Sequence, residues 1–223
     1  MPRIARIYAI GYPHHITQRG NNKEQVFFAD EDREFYLKIL KIYSQKYGLD
    51  IWCYCLMDNH VHLLVIPKQS DSLARGIGGT NLVYTQYINR TYKRSGRLWQ
   101  NRFFSSIVEK ESYLWGVMRY IESNPSRAGL PGKAEEYRWS SAQCHLTGKK
   151  DTLLSNEEIT IVDPSKYKDF FYQTDNALNE HIRKNTCSGR PLGKLDFTMK
   201  LEKILDRTIV TRKAGRPKTK GTK

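Results

Sequence analysis

No apolar run in this 223-residue chain approaches the ~18 residues needed to cross a bilayer. Residues 1–19 also lack the continuous apolar stretch of a secretory leader. Cysteine is scarce: Cys53, Cys55, Cys144 and Cys187 form neither a CxxC pair nor a dense framework, which excludes a disulfide-stapled scaffold and points to a reduced, cytoplasmic setting. Cys53 and Cys55 read as small buried side chains on one face of a strand, with half of a soft metal site as the alternative. Acidic side chains are in short supply, with 23 Asp and Glu against 37 Lys and Arg, a formal charge of +14. That excess calls for a polyanionic partner. Apolar content of 39% is too high for a disordered chain, so a packed core is expected.

Periodicity orders the first two thirds of the chain. A β-rich run at 12–18 ends in the turn signal Arg19-Gly20-Asn21-Asn22. A helix follows at 30–47, with Asp30 as N-cap and Phe35, Ile39, Ile42 and Tyr43 at helical spacing. Strands at 49–57 and 60–67 flank the reversal Asp58-Asn59. A helix at 72–93, weakened at its start by Gly76, Gly78 and Gly79, a strand at 103–109 and a helix at 111–123 complete the series. The order β-α-β-β-α-β-α predicts an α+β fold, a ferredoxin-like split β-α-β-β-α-β antiparallel sheet with an additional helix for its open face. Residues 1–145 form one predicted domain and 146–207 a mainly helical extension, with helices at 167–181 and 197–206. Residues 208–223 form a basic tail that stays disordered until it meets a partner. Residues 183–223 hold thirteen of the basic residues and three of the acidic ones.

His60-Val61-His62 lies on the second strand of the hairpin. Alternation sends both imidazoles to one face, where they can share a cation, and Val61, Leu63 and Val65 to the other. Tyr120 and Asn124, four apart on the last helix, lie beside the apolar stripe Leu114, Val117, Met118 and Ile121. If that helix covers the histidine face, a phenol and an amide oxygen arrive next to the cation. Attack of a phenol on a phosphodiester needs the phosphate polarised and its growing charge neutralised. Imidazole and amide ligands suit Mg²⁺ or Mn²⁺, the latter more natural for imidazole. Tyr172 with Asn176 repeats the spacing in the C-terminal part. Tyr84, Tyr87, Arg90, Tyr92, Lys93, Arg94, Arg97, Trp99, Gln100, Arg102 and Phe103 mix cations with rings, as a single-stranded nucleic-acid surface does. Trp99 and Phe103 suit the core equally well. Arg216, in Gly215-Arg216-Pro217, has the form of a minor-groove arm.

Six segments, in order and at fitting intervals over residues 1–145, carry a family resemblance. They are His14-His15-Ile16-Thr17-Gln18-Arg19-Gly20-Asn21-Asn22, Tyr54-Cys55-Leu56-Met57-Asp58-Asn59-His60-Val61-His62-Leu63-Leu64 and Tyr84-Thr85-Gln86-Tyr87. Gly96-Arg97-Leu98-Trp99-Gln100-Asn101-Arg102-Phe103, Tyr120-Ile121-Glu122-Ser123-Asn124-Pro125-Ser126-Arg127-Ala128-Gly129 and Trp139-Ser140-Ser141 complete them. The chain resembles the single-tyrosine HUH transposases of bacterial insertion sequences, most of all their REP-associated relatives. The resemblance implies His60, His62 and Asn124 as ligands of a divalent metal ion, Mg²⁺ or Mn²⁺. It implies Tyr120 as the nucleophile that becomes linked to a DNA 5′-phosphate. The implied partner is single-stranded or hairpin DNA, bound by a monomer or homodimer in the bacterial cytoplasm, at the nucleoid. Arg19 and Arg127, inside the matching segments, join the DNA-contact candidates. Asp58 stands where relatives usually carry proline, a change expected to alter only the turn.

Two other readings have a stated discriminator. A histidine-triad nucleotide hydrolase needs a third histidine at 64, where this chain has Leu64. A domesticated relative that holds DNA hairpins without cutting them would form no covalent adduct. Deleting residues 208–223 is expected to weaken DNA binding and flatten its dependence on salt, while cleavage survives at low salt; titrations across a salt series check it, and an unchanged slope would place the tail off the DNA.

Overall fold

The computed structural model describes residues 7–130, 132–155 and 164–209. Four antiparallel strands form one sheet in the order β2-β3-β1-β4: β1 (His14–Arg19), β2 (Leu49–Met57), β3 (His60–Pro67) and β4 (Phe104–Ile107). Helices α1 (Asp30–Tyr47) and α2 (Gly78–Thr91) cover one face, and α3 (Lys110–Glu122) crosses the other. This is the predicted split arrangement with its extra helix, boundaries differing by a few residues.

Alternation on the central strand β3 divides the interior in two. Val61, Leu63 and Val65 are fully buried against α1 and α2, where Tyr36, Leu40, Tyr84 and Ile88 meet them. The stripe of α1 is rotated from the one expected: Tyr36, Ile39 and Leu40 face the core, while Ile42 is 51% exposed. Leu40 belongs to the same i, i+4 row as Tyr36, a period the apolar count at 35, 39, 42 and 43 obscured. Asp30 is the first helical residue and not the cap. The N-cap is Ala29, and Asp32 in the first turn reaches back to it, its Oδ2 accepting from the backbone N–H groups of Phe28 (2.8 Å) and Ala29 (3.0 Å). Asp58 does more than shape a turn: its carboxylate pairs with Arg33 of α1, and its carbonyl accepts from Val26 and Phe27. The reversal that carries His60 is thereby tied to the α1 layer.

On the opposite face, a register shift between Ile51 and Cys53 inserts one extra residue in β2. Cys53, Cys55, Leu64 and Ile66 turn toward α3, where Val117, Met118 and Ile121 are fully buried. Both cysteines are buried and reduced, as expected. The second core is completed by chain far beyond residue 145. Helices α4 (Asn124–Arg127), α5 (Ala142–Thr147), α6 (Pro164–Phe171) and α7 (Asn176–Ser188) follow α3, and Tyr167, Phe171, Ile182 and Leu192 share its cluster. A last helix, α8 (Leu195–Leu205), packs Phe197 and Leu201 on Ala9 and Ile107. The helix expected over 167–181 is in fact two, because Asp175 caps α7 by accepting from the Leu178 N–H at 2.9 Å.

Glu122, the last residue of α3, is wholly buried and fastens these layers. Its Oε1 accepts from the Ser141 hydroxyl (2.6 Å) and is bonded to His145 Nδ1, and its Oε2 accepts from the Tyr167 hydroxyl (2.8 Å). Both side chains are fully buried, so Tyr167→Phe, which deprives Oε2 of this bond, is expected to cost about 1–3 kcal/mol. Urea denaturation of the two proteins measures it; equal midpoints would show that the extension does not brace α3 through this contact.

Candidate active site

His60 and His62 leave β3 on the α3 side, their ring centroids 5.1 Å apart. The ring of Tyr120 stands edge-on to His62 at 5.7 Å between centroids. An HxH pair and a tyrosine sixty residues apart in sequence therefore meet because β3 alternates and α3 lies across its face.

Hydrogen bonds around these side chains decide which atoms remain as electron-pair donors. The Asn59 amide nitrogen donates to the Lys23 carbonyl at 2.9 Å, so its oxygen is turned to His60 Nδ1, 2.6 Å away. That oxygen can only accept, hence Nδ1 carries the proton and His60 Nε2 keeps its lone pair. His62 Nδ1 lies 2.9 Å from His15 Nε2, which leaves His62 Nε2 facing outward from that contact. The Asn124 amide nitrogen donates to the carbonyls of Tyr120 and Ile121, both at 3.1 Å. Those bonds leave the amide oxygen as its open atom, and the Asn124 side chain lies near enough to His60 to favour the charged imidazole. Two imidazoles and an amide oxygen are a donor set that suits a divalent cation in type. Asn124 reaches this position from α4, because α3 ends at Glu122 and the chain turns at Ser123.

Two cations border the group. The Arg127 guanidinium covers the Tyr120 ring at 3.9 Å and donates to the Tyr120 carbonyl at 2.8 Å. Arg19, paired in register with His60, is exposed beside it. Burial, then the Arg19 charge, holds the His60 pKa down to about 4. Burial followed by Arg127 lowers His15 to about 3, and burial with the neighbouring rings and arginines carries His62 well below the ordinary range. The imidazoles are neutral at neutral pH, as ligands must be.

The remaining candidates are distributed as follows. Arg97, Gln100 and Arg102 line, with Gln18, Asn81 and Asn101, a groove of about 630 Å³. The Gln100 N–H bonds the Arg19 carbonyl at 2.9 Å, which joins this groove to the site. Trp99 forms its floor from within the first core, its indole N–H donating to the Asn81 carbonyl at 3.2 Å, so its ring packs with Tyr36 and Tyr84. Arg90 is exposed near the end of α2, and Arg94 lies over the Phe28 ring and 3.7 Å from Glu24. Arg216 falls outside the described residues. Tyr172 gives its hydroxyl to Glu135 at 2.7 Å, and a break in the helix separates it from Asn176. Leu64 is packed in the second core. Sequence reasoning gave His15 no role; its place in the first of the family-like segments was the signal available, and its contact with His62 comes from the pairing of β1 with β3.

A second cluster of donor atoms lies deeper. Cys53, Glu122 and His145 bring a thiol, a carboxyl and an imidazole nitrogen within 4.8 Å of one another, close enough to coordinate a metal ion. Here, however, Glu122 is already bonded to Ser141, His145 and Tyr167, and His145 Nδ1 bonds it directly. Hydrogen bonding accounts for this cluster as the brace described above.

The profile of the IS200-like transposases matches residues 9–124. The chain belongs to that family, the single-tyrosine HUH transposases. A Haemophilus influenzae protein that bears the name REP-associated tyrosine transposase is 24% identical over 151 residues, 63% of this chain and 85% of the relative. A solved structure of a REP-associated tyrosine transposase bound to a REP hairpin superposes with a TM-score of 0.54 at 14% identity, covering 73% of this chain and 94% of that one. At that identity the superposition speaks to the fold. No helix among the described residues is long and apolar enough to cross a membrane.

His14, lowered by burial to about 4, joins His15 and His60 as a neutral interior ring. Each pKa lies below the ~6.5 of an unfolded histidine, so the unfolded chain binds more protons as pH falls. Stability is complete above about pH 6.5 and is lost as pH drops toward about 4. Thermal unfolding of the metal-free protein across this window is expected to show a falling Tm; a flat profile would mean that these rings protonate without unfolding.

Proposed function

We propose that this chain is a metal-dependent nickase and strand transferase for single-stranded DNA that folds into hairpins, working through a 5′-phosphotyrosine intermediate. The observation that carries the reading is that the His60 and His62 rings, 5.1 Å apart with their Nδ1 atoms engaged elsewhere, share one face with the Tyr120 ring, 5.7 Å from His62, and with the nearby Asn124 side chain. Family membership supports nuclease-like chemistry in general, and the hairpin in the neighbouring solved structure supports the choice of substrate.

In the first step the Tyr120 hydroxyl loses its proton and its oxygen bonds to phosphorus. The bond from phosphorus to the 3′ oxygen breaks, and that oxygen takes up a proton and departs as a 3′-hydroxyl. The phosphate remains a diester, now between tyrosine and the 5′ carbon, so its bond energy is kept and a 3′-hydroxyl can reverse the step without an outside energy source. A bound Mg²⁺ or Mn²⁺ supplies positive charge to the phosphoryl oxygen and eases loss of the phenol proton. Arg127, fixed against the Tyr120 ring, and exposed Arg19 add fixed positive charge where the phosphate must sit. The groove with Arg97, Gln100 and Arg102 offers cations and amides to the flanking backbone.

Labelled single-stranded hairpin DNA with Mn²⁺ or Mg²⁺ is expected to give a denaturation-resistant protein–DNA adduct. The adduct should vanish in Tyr120→Phe and on chelation, and persist in Tyr172→Phe. An adduct that survives Tyr120→Phe rejects the assignment. Hairpin binding with no adduct from the intact protein identifies a binding protein instead.

A further inference from the structure

His62 makes its only described side-chain hydrogen bond to His15, and His15 makes its other one to Thr186, on α7 and 62 residues beyond the segment matched by the family profile. All three side chains are buried. The protons in this chain of contacts can be assigned one after another. The Thr186 hydroxyl lies 2.8 Å from the Ile182 carbonyl, an atom that can only accept, so its single proton is spent there. Toward His15 Nδ1, also 2.8 Å away, the same oxygen must therefore accept, and Nδ1 carries hydrogen. The His15 ring is wholly buried and its two described partners, a hydroxyl and an imidazole, carry no negative charge, so the ring is neutral. Its Nε2 then holds a lone pair, and the 2.9 Å contact to His62 must be donated by His62 Nδ1. A neutral His62 is left with its lone pair on Nε2.

We propose that Thr186 is a positioning residue of the active site: through His15 it fixes the tautomer in which His62 presents Nε2 as an electron-pair donor. The C-terminal extension then contributes to the site directly, because a hydroxyl on α7 decides the proton position on a β3 imidazole two rings away. Asn59 performs the same task for His60 by a local contact. The packing suits the role: α7 ends in Gly189, at φ +71°, and the next residues run beside β4, where Leu192 bonds Ile107 at 2.7 Å. The helix is held against the sheet on the flank of β1 that α3 leaves uncovered. Valine at 186 would keep the shape of the side chain and remove the acceptor. A buried Nδ1–H on His15 would have no partner, which favours moving its proton to Nε2; His62 Nδ1 must then accept, and the proton of His62 shifts to Nε2, where a cation would bind.

The inference rests on His62 as a metal ligand, and the test separates the two. Long-range ¹H–¹⁵N imidazole spectra of the full-length, metal-free protein report each tautomer. Protonated Nδ1 on both His15 and His62 is expected; a His62 with its proton on Nε2 overturns the proposal, whatever happens to any variant. Thr186→Val is expected to move the His62 proton and to weaken Mn²⁺ binding about 10- to 100-fold, the usual effect of losing an outer hydrogen bond to a ligand. Thr186→Ser should restore both. A valine variant with the wild-type tautomer and Mn²⁺ affinity also overturns it. Paramagnetic broadening of the His60 and His62 signals by Mn²⁺ tests the ligand assignment separately: its absence from the wild-type spectrum rejects the metal reading while leaving the proton positions as measured.

Discussion

Everything in this protein depends on β3 keeping its register between β1 and β2. The strand is paired on both sides, with Thr17 and Cys55 both opposite His62. Val61, Leu63 and Val65 fill one core while His60 and His62 face the other side. A slip of one residue would send three aliphatic side chains toward Tyr120 and two imidazoles into the apolar layer under α1. The hydrophobic effect on one face therefore enforces the chemistry on the other. The Arg33–Asp58 pair and the carbonyl of Asp58 secure the same register from the hairpin end.

The face that holds the site is built at some cost. Four histidine rings, at 14, 15, 60 and 62, are kept neutral by burial, and polar side chains must satisfy their nitrogens in turn. Tyr12, Thr186 and Asn59 do so for the first, second and third. The same network that prevents unpaired polar atoms also sets which nitrogens remain open. Structural satisfaction and ligand preparation are here one set of hydrogen bonds. Glu122 has a bracing part of its own, its carboxylate tying the helix of Tyr120 to α5 and α6.

The sheet, the two covering helices and α3 were legible because each is a periodic segment long enough to announce its type. Within them, the details that failed were local. Ala29 is the N-cap of α1 in place of Asp30, and Ile42 faces solvent where Leu40 faces the core. The α6–α7 break was hidden because Asp175, an N-cap, sits inside a stretch that otherwise reads as continuous helix. Trp99 illustrates a limit of composition: an aromatic among arginines reads as a stacking surface, yet Tyr36 and Tyr84 had room for it in the core and Asn81 an acceptor for its N–H.

By itself the sequence determined the alternation that puts His60 and His62 on one face, the helical spacing that aligns Tyr120 with the apolar stripe of α3, and the charge that demands an anionic partner. These are properties of neighbours in the chain, set by strand and helix geometry. Only the tertiary structure decided that Tyr120 stands against His62, that Asn124 lies near His60, and that His15 and Thr186 stand behind the site. The reason is physical: hydrogen-bond direction between side chains 47 and 171 residues apart is fixed by packing of separate elements, and no local periodicity encodes it.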